Sequence, residues 1–209
     1  MISSLFSNPL VFFMSAIGLV IAITVHEFCH ALVADYLGDP TPRVQGRVTL
    51  NPLAHLDPFG TLALLFIGFG WGKPVEFDPY NLKHKTRDAA LIALAGPVSN
   101  IVLAIFAALL LRFVFTTASI FSLTLLELLF INVSLAIFNL VPVAPLDGEK
   151  ILYALLPRLT AIEYRMFMRK NGLFVLAFLL LPLFNGVSAV SQLISPVISW
   201  IISLLLYKI

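Results

Sequence analysis

From Leu10 to Val25 the chain carries no charged residue, and as an α-helix that stretch covers ~24 Å of a hydrocarbon core about 30 Å thick. A segment in lipid has no water to satisfy its backbone, so it must be helical. The same apolar run, residues 8–37, continues into His26-Glu27-Phe28-Cys29-His30. The chain therefore has to fold around two imidazoles and a carboxylate toward one end of a membrane-crossing helix, where ionisable side chains are costly and mark functional sites.

On a helix, residues four apart share a face and lie ~6 Å apart along the axis, so His26 and His30 can present their rings to one ion. A catalytic zinc takes three protein ligands and leaves a position for water, and a glutamate beside the first histidine is placed to take that water's proton. The HExxH spacing thus predicts a metal site with Glu27 as base and a third ligand elsewhere. The alternative reading of these residues is a structural polar cluster.

Composition decides the class. With 60% hydrophobic and 11% charged residues among 209, and a mean hydropathy of +1.00, the chain reads as an integral membrane protein. Its basic residues lie in short loops without interleaved aromatics, so the net charge of +2 implies no nucleic-acid surface. The single cysteine, Cys29, rules out a disulfide framework within the chain. Residues 1–9 lack the basic start of a cleavable signal, so the first span is expected to be retained.

Past the first span, Asp35, Gly38, Asp39, Pro40 and Pro42 end the helix. In residues 43–50, Val44, Gly46, Val48 and Leu50 alternate with Arg43, Gln45, Arg47 and Thr49, which predicts a short strand whose open edge can accept an extended peptide. Residues 59–70 make only ~18 Å of helix, which predicts a re-entrant half-span. Residues 88–111 and 121–140 read as full spans, and residues 171–207, broken at Pro182, Asn185-Gly186 and Pro196, as two more. The expected fold is an all-α polytopic membrane protein with about five transmembrane helices, a re-entrant half-span and a small membrane-associated β element. All of 1–209 reads as one domain, with a core at about 10–157 and C-terminal spans in 171–207.

Pro142, Pro145 and Gly148 surround Asp147 and unwind the end of the 121–140 helix. Irregular backbone at membrane depth is tolerated where it is buried in protein or lines a wet cavity, so Asp147 is the third-ligand candidate. His55 reads as an interfacial loop histidine and Asn100 as an interhelical hydrogen-bonder. Lys73, Lys83, Lys85 and Arg87 precede the 88–111 span, and Lys150, Arg158, Arg165, Arg169 and Lys170 follow the 121–140 span, against Arg112 in the turn between. The positive-inside rule makes the basic side cytoplasmic, which puts Asp147, His26 and His30 at the cytoplasmic ends of their helices.

The HEFCH stretch, followed on separate segments by Asn139, Pro142 and Pro145-Leu146-Asp147-Gly148, resembles the site-2 protease family of intramembrane zinc metalloproteases. Gly46-Arg47-Val48-Thr49-Leu50-Asn51-Pro52, His55-Leu56-Asp57-Pro58, Gly70-Trp71-Gly72-Lys73-Pro74-Val75 and Ala95-Gly96-Pro97 are similar to its compact branch without PDZ or CBS domains. The likeness covers residues 17 to about 155. It implies one zinc ion per chain held by His26, His30 and Asp147, Glu27 as general base, and Asn139 holding substrate or the oxyanion. The implied substrate is a transmembrane protein cut in or near its membrane segment, in a bacterial or archaeal cell membrane. Pairing with a second copy is left open. Ala144, where many members have proline, and Glu149-Lys150, where Gly-Arg is common, depart from the pattern without touching a ligand.

Other classes make different demands. A catalytically silent membrane-protein-binding relative need not keep Glu27. A metal-ion transporter predicts vesicle uptake that survives Glu27→Gln. A di-iron oxygenase needs more histidines than the four present.

Overall fold

The computed structural model describes residues 8–67, 70–113, 119–182 and 186–207. In chain order these form α1 (Pro9–Tyr36), α2 (Thr41–Val44), α3 (Pro58–Ile67), α4 (Lys85–Phe113), α5 (Ile120–Asn139), α6 (Asp147–Leu155), α7 (Arg158–Leu180) and α8 (Ala189–Leu205), with a 3₁₀ turn at Pro52–Ala54. Three helices, α1, α4 and α5, are long and apolar enough to cross a membrane, and α8 is a shorter apolar helix. The chain is an integral membrane protein.

α1 starts where the Asn8 side chain accepts the Val11 N–H at 3.3 Å, with Pro9 in the first turn where its missing N–H costs nothing. It stops at Gly38, whose φ of +105° lies in the left-handed region. Asp39 next ties this corner to a later loop, accepting from Thr41 N and Oγ1, Asn81 Nδ2 and Asp78 N. Burial pushes its carboxyl up, and these four donors outweigh that and hold it below the usual carboxylate range.

α4 lies against both α1 and α5. The residues at these contacts are small: Ala22, Ala31 and Ala34 on α1, Ala93, Gly96, Ala104, Ala107 and Ala108 on α4, and Ala136 on α5 are buried. Phe13, Ile17, Phe106 and Phe130 point outward. Lipid tails are as apolar as these side chains, so large residues gain little by turning inward, and close backbone approach selects small ones. α8 closes one side, its Ile198 packing into the Ala104, Leu111, Leu129 and Val133 cluster.

Two expectations about the connecting segments fare differently. α3 is ten residues long, as the half-span reading of 59–70 requires, although residues 68 and 69 lie outside the described residues. The strand over 43–50 is absent, and no sheet occurs among the described residues. The segment instead opens with the helical turn α2, for which Pro42 presets φ, and neither expected face is kept: Arg43, Val44, Gln45 and Gly46 are all exposed. Val44 is 84% exposed while Arg47 is 4% exposed, its Nη1 donating to Ala54 O and its Nη2 to Lys73 O. Alternation failed as a signal because Arg47 faces inward to satisfy loop carbonyls. A peptide-accepting edge at 43–50 falls with it; the pairing that is present is an isolated antiparallel bridge between Leu56 and Gly72. Residues 171–207, expected as two spans, hold the second half of α7 and all of α8. α7 starts earlier, at Arg158, within the basic stretch, and neither helix is among the three long and apolar enough to cross a membrane, while Asn185 lies outside the described residues.

Candidate metal centre

His26 and His30 stand one turn apart on α1, their ring centroids 4.6 Å apart and nearly perpendicular. Asp147 begins α6 and reaches both, with Oδ2 at 3.1 Å from His26 Nε2 and 3.2 Å from His30 Nε2. All three residues are buried, and one ligand atom from each lies within 4.8 Å of the others. Helix packing therefore brings together three residues that the sequence separates by up to 121 positions.

The far side of each ring reveals what the near side wants. His30 Nδ1 lies 2.6 Å from the backbone carbonyl of Ile92, which can only accept. His26 Nδ1 lies 2.6 Å from Asn100 Oδ1, while Asn100 Nδ2 donates to Ala22 O and to Asn132 Oδ1. Both rings are thereby assigned the tautomer with the proton on Nδ1, and both Nε2 lone pairs face a carboxylate oxygen. Three acceptors converging this closely are satisfied by a cation between them. Ligands about 2.05 Å from a tetrahedral zinc stand roughly 3.3 Å from each other, close to the two separations observed, so this donor set fits zinc.

Two glycines make room. A Cβ on Gly96 of α4 would lie 2.5 Å from His30 Nε2 and 2.6 Å from His26 Nε2, on the ligand side of both rings. A Cβ on Gly148 would lie 2.3 Å from Leu140 O, so the residue after Asp147 must be glycine for α6 to start this close to the end of α5. Lys150, one turn into α6, sets its Nζ 3.6 Å from Asp147 Oδ1.

Glu27 is half-buried beside this cluster, and its Oε2 accepts the Val75 N–H at 3.1 Å. The donating loop, residues 71–75, is pinned by the Leu56–Gly72 bridge, by Lys73 N donating to His55 O at 2.7 Å, and by Arg47. His55 is thus neither a ligand nor an exposed loop residue. It is fully buried, its Nε2 hydrogen-bonded to Thr49 O at 2.7 Å. Asn139 turns its amide N–H back on Leu135 O of its own helix at 3.0 Å and makes no hydrogen bond to the cluster.

Sequence reasoning brought His26, Glu27, His30 and Asp147 to this place and under-read their supports. Asn100 does bridge helices as expected, but the group it holds is a ligand candidate. Gly96 was legible only as a small residue in Ala95-Gly96-Pro97. Val75 acts through its backbone, which leaves no mark in side-chain patterns.

Comparison with known proteins decides the family. YwhC of Bacillus subtilis, provisionally named a zinc metalloprotease, is 41% identical over 150 residues, covering 68% of this chain and 68% of its own. The profile of peptidase family M50 matches residues 115–183, which hold Asp147. The chain belongs to that family. Rip2 of Mycolicibacterium smegmatis and MJ0611 of Methanocaldococcus jannaschii, both with the same provisional description, are 32% and 31% identical. Those alignments cover 66% and 72% of this chain, 55% of Rip2 and 77% of MJ0611. No solved structure matches. The profile match lies C-terminal to α1, and it is the structure that sets the α1 histidines against the Asp147 within it.

Proposed function

We propose that this M50 peptidase hydrolyses peptide bonds within or near the transmembrane segments of other membrane proteins. The chain is a zinc metalloprotease by family and relatives, and we assign His26, His30 and Asp147 as the residues that hold its zinc. The observation that carries the assignment is the convergence of both Nε2 atoms and Asp147 Oδ2, with each Nδ1 already committed to an acceptor.

When bound, zinc supplies Lewis acidity toward water and toward the peptide carbonyl. Glu27 takes the proton of the attacking water and returns it to the departing amine. The Val75 N–H holds one carboxylate oxygen, leaving the other for that proton. Asn100 keeps His26 in the tautomer that leaves Nε2 free. Lys150 is the nearest cation to Asp147 and balances the oxygen turned from the histidines. Asn139 would aid substrate or oxyanion once its amide leaves Leu135 O. A transmembrane substrate must unwind locally before attack, because its scissile carbonyl is otherwise hydrogen-bonded inside a helix. About five spans, with the site toward the cytoplasmic side of the cell membrane, complete the reading; the Lys and Arg distribution supports that orientation.

The test is zinc content and cleavage measured side by side in reconstituted protein, against a panel of single-span proteins with helix-weakening residues. Wild type should carry one zinc per chain and cut. Glu27→Gln should keep zinc and stop cutting, and Asp147→Ala should lose both. Undiminished cleavage by Glu27→Gln, or wild type without zinc, sinks the reading.

A further inference from the structure

Where α6 meets the first half of α7 there is a cavity of about 260 Å³ lined by Tyr153, Ile162, Arg165, Met166 and Arg169. In the chain these two helices follow the last of the three apolar spans, and their basic residues suit a membrane surface. Two kinds of chemistry meet in it. Arg165 and Arg169 are one turn apart on α7, and among the described residues neither has a carboxylate within salt-bridge distance. The Arg165 guanidinium carbon sits 4.9 Å from the Tyr153 ring centroid, which steadies it against the cavity wall. Glu163 lies ~160° around the helix from Arg165 and ~120° from Arg169, and among the described residues it pairs with neither.

The apolar side is exposed too. Of the cavity's lining residues Met166 is 61% and Ile162 43% exposed. Paired cations next to bare apolar surface suit neither water nor hydrocarbon alone. They suit the boundary between the two, where one molecule offers an anion above and acyl chains below. We propose that this cavity binds the phosphodiester headgroup of an anionic glycerophospholipid, with Arg165 and Arg169 on the phosphate oxygens and Ile162 and Met166 against the chains. The exposed apolar lining argues for a lipid over a free phosphate, which would leave it uncovered.

The full-length protein in phosphatidylcholine nanodiscs containing increasing phosphatidylglycerol provides the test, with retained lipid counted by native mass spectrometry. Wild type should enrich phosphatidylglycerol over its bulk fraction. The enrichment should fall about five-fold in Arg169→Gln and about twenty-fold in the Arg165→Gln/Arg169→Gln double variant. A Lys83→Gln/Arg87→Gln variant, which removes equal charge elsewhere on the basic side, should lose less than about two-fold. The exposed Arg169 is the safeguard if the double variant does not fold. Equal losses in both double variants, which is what diffuse surface charge gives, overturn the proposal. So does unchanged enrichment in Arg169→Gln, or displacement of the lipid by millimolar inorganic phosphate, which marks a free-anion site. The readout is lipid retention, so the result stands apart from peptidase activity.

Discussion

Replacing Gly96 with alanine sets the geometry of the metal centre against the stability of the fold. The new methyl carbon would sit 2.5 Å from His30 Nε2 and 2.6 Å from both Nε2 and Cε1 of His26. Ordinary contact begins near 3.4 Å, so the rings or α4 must retreat by roughly 0.9 Å, whereas a metal site keeps its ligands within about 0.2 Å. The fold itself suffers less. Alanine gains about 1 kcal/mol over glycine in a helix interior, and overpacking costs about 1–3 kcal/mol, leaving a net loss of about 0–2 kcal/mol. Gly96→Ala should therefore reach the membrane folded, with apparent melting lowered by a few degrees. Its zinc affinity should drop by about 100-fold or more, because both histidines move and second-sphere changes alone cost 10–100-fold. Metal per chain after dialysis against a graded chelator series, with melting measured on the same samples, separates the two effects. Wild-type zinc retention across that series would refute the claim that the missing Cβ keeps the centre open.

Asn100→Ala removes the His26 Nδ1 partner and should weaken zinc about 10–100-fold in competition titrations, with α4–α5 packing otherwise kept. Val75→Pro deletes the N–H that holds Glu27. A hydrogen bond to a charged group is worth about 1.5–3 kcal/mol, so kcat should fall about 10–100-fold while zinc stays bound; an unchanged kcat would remove that loop from the mechanism. Asp39 is held below its unfolded value, so its contribution to stability is present above roughly pH 4 and is lost as pH falls through the lower folded value. Melting followed down an acid series should steepen there in wild type and flatten in Asp39→Asn.

The parts of this protein legible in its sequence are those whose chemistry leaves no substitute. Unbroken apolar stretches can only be helices in lipid, and His26, Glu27, His30 and Asp147 are too costly in such surroundings to be incidental. Residues 43–50 misled because a two-residue period says how side chains alternate and nothing about which side is wet. Arg47 spends its guanidinium on two loop carbonyls and is buried, while Arg43, Val44 and Gln45 beside it are exposed, so no face of the supposed strand is consistently wet or dry. His55 was undervalued for a related reason. A histidine in a polar loop reads as solvated, but here its carbonyl, through Lys73 N, holds the loop that reaches Glu27, and its ring nitrogen is bonded to Thr49 O. Gly96 and Val75 act by an absence and by a backbone group, and neither carries a side-chain signature.

The separation of the histidines from Asp147 also governs the order in which the protein comes into being. His26 leaves the ribosome 121 residues before Asp147, a delay of about 6–24 s at ordinary elongation rates. For that interval α1 sits in or against the bilayer with half a centre, and α4 has to arrive before His26 and His30 find the acceptors for their Nδ1 protons. On the ligand assignment proposed above, a nascent chain is thus incapable of hydrolysis until α6 brings Asp147 back to α1. Every membrane protein being inserted nearby is spared a peptidase that is still under construction.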